Sequence, residues 1–275
     1  MKSYAYFNGK IKSIDKVKIS PLDLGFIRGY GIFDVMRTQN GKPLLLNEHW
    51  RRFQNAAKEL NLKIPINKNK CHELIRKLLK LNNFPESIIR IVLTGGISED
   101  LFSLSGQETF LILAERFKLL NKMIYEKGAS AVTLNFCREL PEIKTTNYLE
   151  AIRHQNFKDR HKAFEIIYVK NREVLEASTS NIFIFKKNVL ITPKDKILLG
   201  ITRNLIIKLA KNLFQIEEKK ISEKELINAS EVFLTATNKN IVPIIKIDGK
   251  NISSGKVGKN TKILMAKLLE FLKKY

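Results

Sequence analysis

Cysteine is nearly missing: Cys71 and Cys137 are the two in a chain of 275 residues. A pair so far apart makes no disulfide framework and no metal-ligand spacing, so no metal is expected and the fold must rest on its core. Long apolar runs are missing too. No window approaches the roughly 18 to 20 uninterrupted apolar residues of a membrane span. The opening Met1-Lys2-Ser3-Tyr4-Ala5-Tyr6-Phe7 lacks the apolar segment and small-residue cleavage site of a secretion signal. A cytoplasmic location and no membrane partner are therefore expected. With 44% hydrophobic and 28% charged residues, the chain can bury one large core or two modest ones.

Acidic residues are outnumbered, 27 Asp and Glu against 49 Lys and Arg, which leaves a net charge of +22. Such an excess raises the question of a basic nucleic-acid-binding protein. The lysines, however, are spread through almost every segment, with no basic tail and no cluster interleaved with aromatics. Arginine, the usual bidentate reader of bases and phosphates, is the minority cation. Solvated faces account for this composition better than nucleic acid does. A positive field would still help collect anionic amino and keto acids.

The first half reads as strands plus two helices. Asn8-Gly9 between two weakly alternating runs is a hairpin signal, and Asn40-Gly41 is another, with Leu44 to Leu46 as its return strand. Gly29 and Gly31 suggest positive φ or close backbone approach before a strand. Asn47 is read as an N-cap, followed by Trp50, Phe53, Ala57 and Leu60 at helical spacing. Cys71 to Leu81 repeats that period. Ile88 to Thr94 is β-rich, residues 97–108 read as a mobile loop, and Phe110 to Leu113 as a strand.

The second half alternates short strands with helices. Strands are expected at Ala131–Cys137, Glu165–Val169, Ile182–Phe185, Val189–Ile191, Val232–Leu234 and Ile241–Ile247. Helices are expected at Asn147–Asn156, Thr202–Phe214, Ser222–Ala229 and Val257–Lys273. Ser222 and Glu225 form a capping box. The fold class is thus α+β: a small N-terminal α/β domain over 1–115, a linker at 116–121, and a larger, mixed β-rich C-terminal domain over 122–275.

Four segments carry residue types suited to one chemistry. Lys144 stands in Glu139-Leu-Pro-Glu-Ile-Lys-Thr-Thr-Asn-Tyr148, just before a short helix. Glu176 opens the run Glu-Ala-Ser-Thr-Ser-Asn-Ile-Phe183. Gly200-Ile-Thr-Arg203 precedes an amphipathic helix, and a helix start presents free N–H groups to an anion. Thr235-Ala-Thr237 ends an apolar strand and offers a further hydroxyl. A lysine, a carboxylate, an anion cradle and a Thr-x-Thr turn are the parts a pyridoxal phosphate site needs. Taken one at a time, each has a bland reading as a solvated side chain, a capped turn or an ordinary helix start.

Read together and in order, these segments make the chain resemble the class IV (fold type IV) pyridoxal-phosphate aminotransferases, over essentially its whole length. The matching motifs begin with Arg28-Gly-Tyr-Gly-Ile-Phe-Asp-Val35 and His49-x-x-Arg52-Phe53. The four segments above follow, and Ile247-Asp-Gly-Lys with Gly255-Lys-Val-Gly258 closes the match. The family includes D-amino-acid transaminases, branched-chain aminotransferases and aminodeoxychorismate lyases. The resemblance implies a two-domain enzyme binding pyridoxal 5′-phosphate in a site between the domains, working by ping-pong transamination as a homodimer. Lys144 would be the attachment and proton-transfer residue, and Glu176 would face the pyridine nitrogen. Arg52, the amides of Ile201 and Thr202, and Thr237 would hold the phosphate. Tyr148 would reach the cofactor's phenolic oxygen.

Substrates implied by the resemblance are α-amino acids and 2-oxo acids. The arginine that D-amino-acid enzymes place near the end of the strand matching Val92-Leu-Thr-Gly-Gly96 is absent here. Arg90 matches an arginine of branched-chain enzymes, although Ile88 stands where those carry a tyrosine. Arg28 is a second candidate anchor for the α-carboxylate, and Phe33 would add an apolar wall. The Glu176–Phe183 run and the C-terminal segment look nearer to D-amino-acid transaminases. A D-amino-acid transaminase therefore ranks first, a branched-chain L-amino-acid aminotransferase second and aminodeoxychorismate lyase third.

Overall fold

The computed structural model describes residues 3–84 and 86–275. They form two compact units. One holds the chain up to Lys118 together with Ile143–Tyr148 and Tyr275; the other holds Leu119–Glu142 and Leu149–Lys274.

The first unit is built on β1 (Tyr4–Phe7), β2 (Lys10–Ser13), β3 (Gly31–Gln39), β4 (Lys42–Pro43), β5 (Ser87–Thr94) and β6 (Thr109–Arg116). Its helices are α1 (Leu24–Ile27), α2 (Leu46–Glu59) and α3 (Lys68–Asn82). The six strands lie in the order β2-β1-β6-β5-β3-β4, and each neighbouring pair is antiparallel. The period-two pleat gives the sheet two unlike faces. Ile32, Met36, Ile89, Ile91, Leu93, Phe110 and Ile112 are buried in one core with Trp50 and Phe53 of α2 and Leu74, Ile75 and Leu78 of α3. Phe33, Arg90, Val92 and Leu111 alternate with them and stay partly exposed. Burial pushes the Cys71 thiol in α3 up to about 12, which removes it as a nucleophile.

The Asn8-Gly9 hairpin forms as expected, with Phe7 opposite Lys10. Gly29 takes φ +67°, the left-handed region its place before β3 suggested. Two expectations around α2 fail. The return strand after Asn40-Gly41 is only Lys42–Pro43, and the helix begins at Leu46 rather than after Asn47. Its cap residue is Leu45 at φ 53°, with no side-chain cap. The Leu45 amide instead donates to the Tyr275 hydroxyl at 2.9 Å, while the Asn47 side chain accepts from Lys68 Nζ. A leucine held at positive φ has no sequence signature, since nothing local favours it.

The second unit begins with α4 (Lys122–Lys127), β7 (Ala129–Asn135), α5 (Leu149–Arg153), α6 (Gln155–Arg160), β8 (Glu165–Lys170) and β9 (Glu173–Ala177). It continues through β10 (Asn181–Lys186), β11 (Val189–Thr192), α7 (Ile201–Ala210), β12 (Gln215–Glu218) and β13 (Ile221–Ser222). It ends with α8 (Glu223–Ile227), β14 (Glu231–Ala236), β15 (Asn240–Ile247), β16 (Lys250–Asn251) and α9 (Lys259–Lys274). Nine strands run β12-β11-β10-β14-β15-β7-β8-β9-β13, and β16 pairs with β15. The sheet is mixed: β12 with β11, β15 with β7 and β7 with β8 are parallel, the other pairs antiparallel.

One face of this sheet buries Ile182, Ile184, Leu234, Val242 and Ile244. The alternating Phe183 and Phe233 stack at 5.0 Å, and α7 and α9 pack on β14. The Ser222–Glu225 capping box is present in full at the start of α8. The single helix expected over Asn147–Asn156 is instead two short ones, α5 and α6, and Tyr148 precedes both. Among the described residues, no helix is long and apolar enough to cross a membrane.

Candidate functional site

Lys144 is positioned by backbone pairing to β3. The Lys144 carbonyl accepts from the Phe33 amide at 2.9 Å, and the Thr146 amide donates to the Gly31 carbonyl at 2.9 Å. Thr145 bridges Ile32 in the antiparallel sense, and Thr146 Oγ1 donates to the Gly29 carbonyl. Ile143, just before the lysine, is buried in the α2–α3 core. The lysine backbone is thus anchored on both sides. Its Nζ lies 3.3 Å from Tyr148 Oη and 4.5 Å from the centre of the Phe33 ring. Phe33 meets Tyr148 edge to face at 5.5 Å, so amine, hydroxyl and ring form one group.

The Arg90 guanidinium also lies over this ring, 5.7 Å from the Phe33 ring centre. Its Nε also donates to Glu115 at 3.1 Å. The contacts of Arg28 are with a different segment: its Nε donates to the Leu101 carbonyl at 3.3 Å, and its guanidinium covers Phe102. Arg52 lies on the α2 side of the sheet, where it grips Asp34 through Nε at 2.8 Å and Nη2 at 3.0 Å. His49 Nδ1 approaches the same carboxylate at 2.6 Å. Burial would raise the Asp34 carboxyl, but the charges and hydrogen bonds of Arg52 and His49 outweigh it and hold it well below the usual range.

In the second unit, Glu176 sits near the end of β9 and is almost fully buried. Its Oε1 accepts from Arg138 Nε at 2.8 Å, and its Oε2 accepts from the Leu198 amide at 3.0 Å. Arg138 in turn donates to the Pro141 carbonyl. The carboxylate is therefore fixed in direction and held against a cation. Arg138 was not singled out in the sequence, although it lies six residues before Lys144 in the same segment.

Ile201 and Thr202 open the ten-residue α7. The N-cap Gly200 supplies no side-chain cap, so the first amides are left for an outside acceptor. A Cβ on Gly200 would come 2.0 Å from Asn181 Oδ1, so any larger residue here would displace the Asn181 side chain. Asn181 pairs with Thr235 across β10 and β14. The Thr235 hydroxyl is buried with no hydrogen-bond partner among the described residues. Thr237 lies in the turn that follows β14. Arg203, the last residue of its motif, instead turns inward to the Pro193 carbonyl and Glu218.

Glu165 clamps the loop after Glu176. Its carboxylate accepts from the Thr179 amide and hydroxyl, from Ser180 Oγ and from Lys239 Nζ. Burial would raise this carboxyl, yet Lys239 and the hydroxyl donors outweigh it and hold it below the ordinary glutamate value. A depressed carboxylate contributes stability above its unfolded pKa and loses it as pH falls through the folded one. Urea midpoints of wild type and Glu165→Gln should thus differ at pH 7 and converge as pH drops below about 4. A gap that stays constant down to pH 3 would contradict the clamp. Among the described residues, no group of three or more His, Cys, Asp or Glu could hold a metal ion.

The sequence profile described as amino-transferase class IV matches residues 31–247. A Methanocaldococcus jannaschii protein, provisionally named a branched-chain-amino-acid aminotransferase, is 33% identical over 98% of this chain and 96% of its own. A D-alanine aminotransferase of Staphylococcus aureus is 31% identical over 94% of each chain. The crystal structure of Escherichia coli branched-chain amino acid aminotransferase superimposes with a TM-score of 0.91 at 25% identity, covering 99% of this chain and 95% of that one.

Proposed function

The chain belongs to the class IV amino-transferase family, and from that premise we propose that it is a transaminase using pyridoxal 5′-phosphate to exchange an amino group between a D-amino acid and a 2-oxo acid. The observation that carries the reading is the Lys144 amine, 3.3 Å from a tyrosine hydroxyl and beside the Phe33 ring. The residues present fit the cofactor. The uncapped α7 start and its glycine N-cap suit a phosphate, and the buried Thr235 hydroxyl adds a donor beside it. The Glu176 carboxylate, fixed by Arg138, suits a protonated ring nitrogen.

Bound there, the cofactor supplies a carbonyl that condenses with amines and a ring that accepts negative charge from Cα. Lys144 is the residue of attachment, and its Nζ takes the Cα proton and returns it. Tyr148 orients that amine and would meet the cofactor's phenolic oxygen. Glu176 keeps a proton on the ring nitrogen. Arg52, the amides of Ile201 and Thr202, and Thr237 hold the phosphate. Phe33 forms an apolar wall, and Arg90 or Arg28 meets the substrate carboxylate. A homodimer of such chains is part of the same reading.

The D-amino-acid assignment rests on the Glu176–Phe183 run and on similarity to D-alanine aminotransferases. A branched-chain L-amino-acid substrate is the second reading, favoured by Arg90 on β5 and by the M. jannaschii and E. coli relatives. Mixing holoenzyme with D-alanine, and separately with L-leucine, tests the choice through loss of the bound cofactor's visible absorbance. Fast bleaching by D-alanine alone is expected. Fast bleaching by L-leucine alone would move the enzyme to the second reading. No response to either would call for an aminodeoxychorismate lyase assay, with pyruvate released in the absence of an acceptor.

A further inference from the structure

Asp34 is a carboxylate where the β3 pattern calls for a core residue. It lies between Ile32 and Met36, both fully buried, on the face that packs against α2, and its own side chain is 1% exposed. Three polar contacts hold it there. Oδ1 is 2.6 Å from His49 Nδ1 and 3.0 Å from Arg52 Nη2, and Oδ2 is 2.8 Å from Arg52 Nε. His49 and Arg52 are three apart on α2, which puts both on the face turned to β3.

A buried ion pair is a poor device for stability alone, because removing two charges from water offsets much of their attraction. An apolar residue would fill the position at less cost. What the pair does supply is direction. A guanidinium is planar with five N–H donors, and Asp34 takes two of them along the Nε–Nη2 edge. The remaining donors, on Nη1 and the far side of Nη2, then face away from the carboxylate in a fixed plane. The Arg52 side chain retains 14% exposure, and its hydrogen bonds among the described residues are the two to Asp34, which leave the outer donors without a protein acceptor. An arginine without such a partner would sample many rotamers and lose that freedom on binding.

We propose that Asp34 is a positioning residue, assisted by His49, that presents the outer N–H groups of Arg52 to the phosphate of the cofactor. The inference rests on the reading that this chain binds pyridoxal 5′-phosphate and that Arg52 is one of the phosphate ligands. Asp34 itself touches neither cofactor nor substrate. Its effect should therefore be confined to the phosphate and be absent for the same ring without one.

The test strips the full-length enzyme of cofactor and measures Kd for pyridoxal 5′-phosphate and for pyridoxal by absorbance titration. In Asp34→Asn, Kd for the phosphorylated form should rise about tenfold or more while Kd for pyridoxal changes less than about twofold. Arg52→Gln should show the same selective loss, and the double variant should be little worse than Arg52→Gln alone, since the two act as one unit. His49→Gln keeps the Asp34–Arg52 pair and should give a smaller loss, again confined to the phosphorylated form. It preserves the test if Asp34→Asn does not fold. Equal weakening of both ligands in Asp34→Asn and His49→Gln would make the network merely structural and overturn the proposal. So would an unchanged Kd in these variants beside a large loss in Arg52→Gln. Wild type that binds neither ligand would overturn the cofactor reading and this inference with it.

Discussion

Lys144→Ala is expected to lower transamination by at least about a hundredfold, because in the proposed mechanism one amine would serve as attachment point and proton carrier, and proton transfer alone is worth about 10²- to 10⁴-fold. The substitution should leave the surrounding structure intact. Its anchoring contacts are made by main-chain atoms, Lys144 carbonyl to Phe33 amide and Thr146 amide to Gly31 carbonyl, and alanine keeps both. Ile143 stays in its core. A loss of activity with an unchanged circular dichroism spectrum and unfolding midpoint is therefore the anticipated pattern. Turnover at a tenth of wild type would be incompatible with the assigned role.

The second large effect is expected at Glu176. Gln at this position keeps the shape and loses the charge that would hold a proton on the ring nitrogen. It also leaves Arg138, which is 15% exposed, beside a neutral amide. Hydrogen bonds to charged groups contribute about 1.5 to 3 kcal/mol, so kcat should fall about ten- to a hundredfold. KM should move much less, because in the proposed role the group would act on the reacting ring rather than on the substrate's carboxylate. A kcat within about twofold of wild type would show that Glu176 does not face the ring.

How much of this was readable beforehand depends on how local each signal is. The Asn8-Gly9 turn and the Ser222–Glu225 capping box are specified within a few residues, and both form as read. The membership of the family was legible because its motifs occur in order along the chain, and the profile match over residues 31–247 bears that out. The start of α2 was misplaced because its cap depends on Leu45 at positive φ and on a hydroxyl from Tyr275, 230 positions away. The strand containing Glu176 was also missed, but it has no such distant dependence. It pairs with β8 across the two-residue turn Asn171-Arg172, both at positive φ, and an arginine in the second turn position gives no hairpin signal of the Asn-Gly kind.

Site partners show the same limit. Arg138 is one cation among many until Glu176 is brought to it across 38 residues. Asp34 belongs to the Arg28–Val35 motif, but its partners appear only once α2 turns His49 and Arg52 onto β3. Glu115 beside Arg90 had no signal at all, since the pairing of β5 with β6 sets it. That contact bears on substrate choice, because it places a negative charge next to a candidate carboxylate anchor.

The measurement that tests the central claim most directly is chemical. The purified holoenzyme would be reduced with borohydride, digested, and analysed by mass spectrometry for the peptide bearing the reduced cofactor. A single phosphopyridoxyl adduct, on Lys144, is expected. An adduct on another lysine, or none on an enzyme that still transaminates, would contradict that claim.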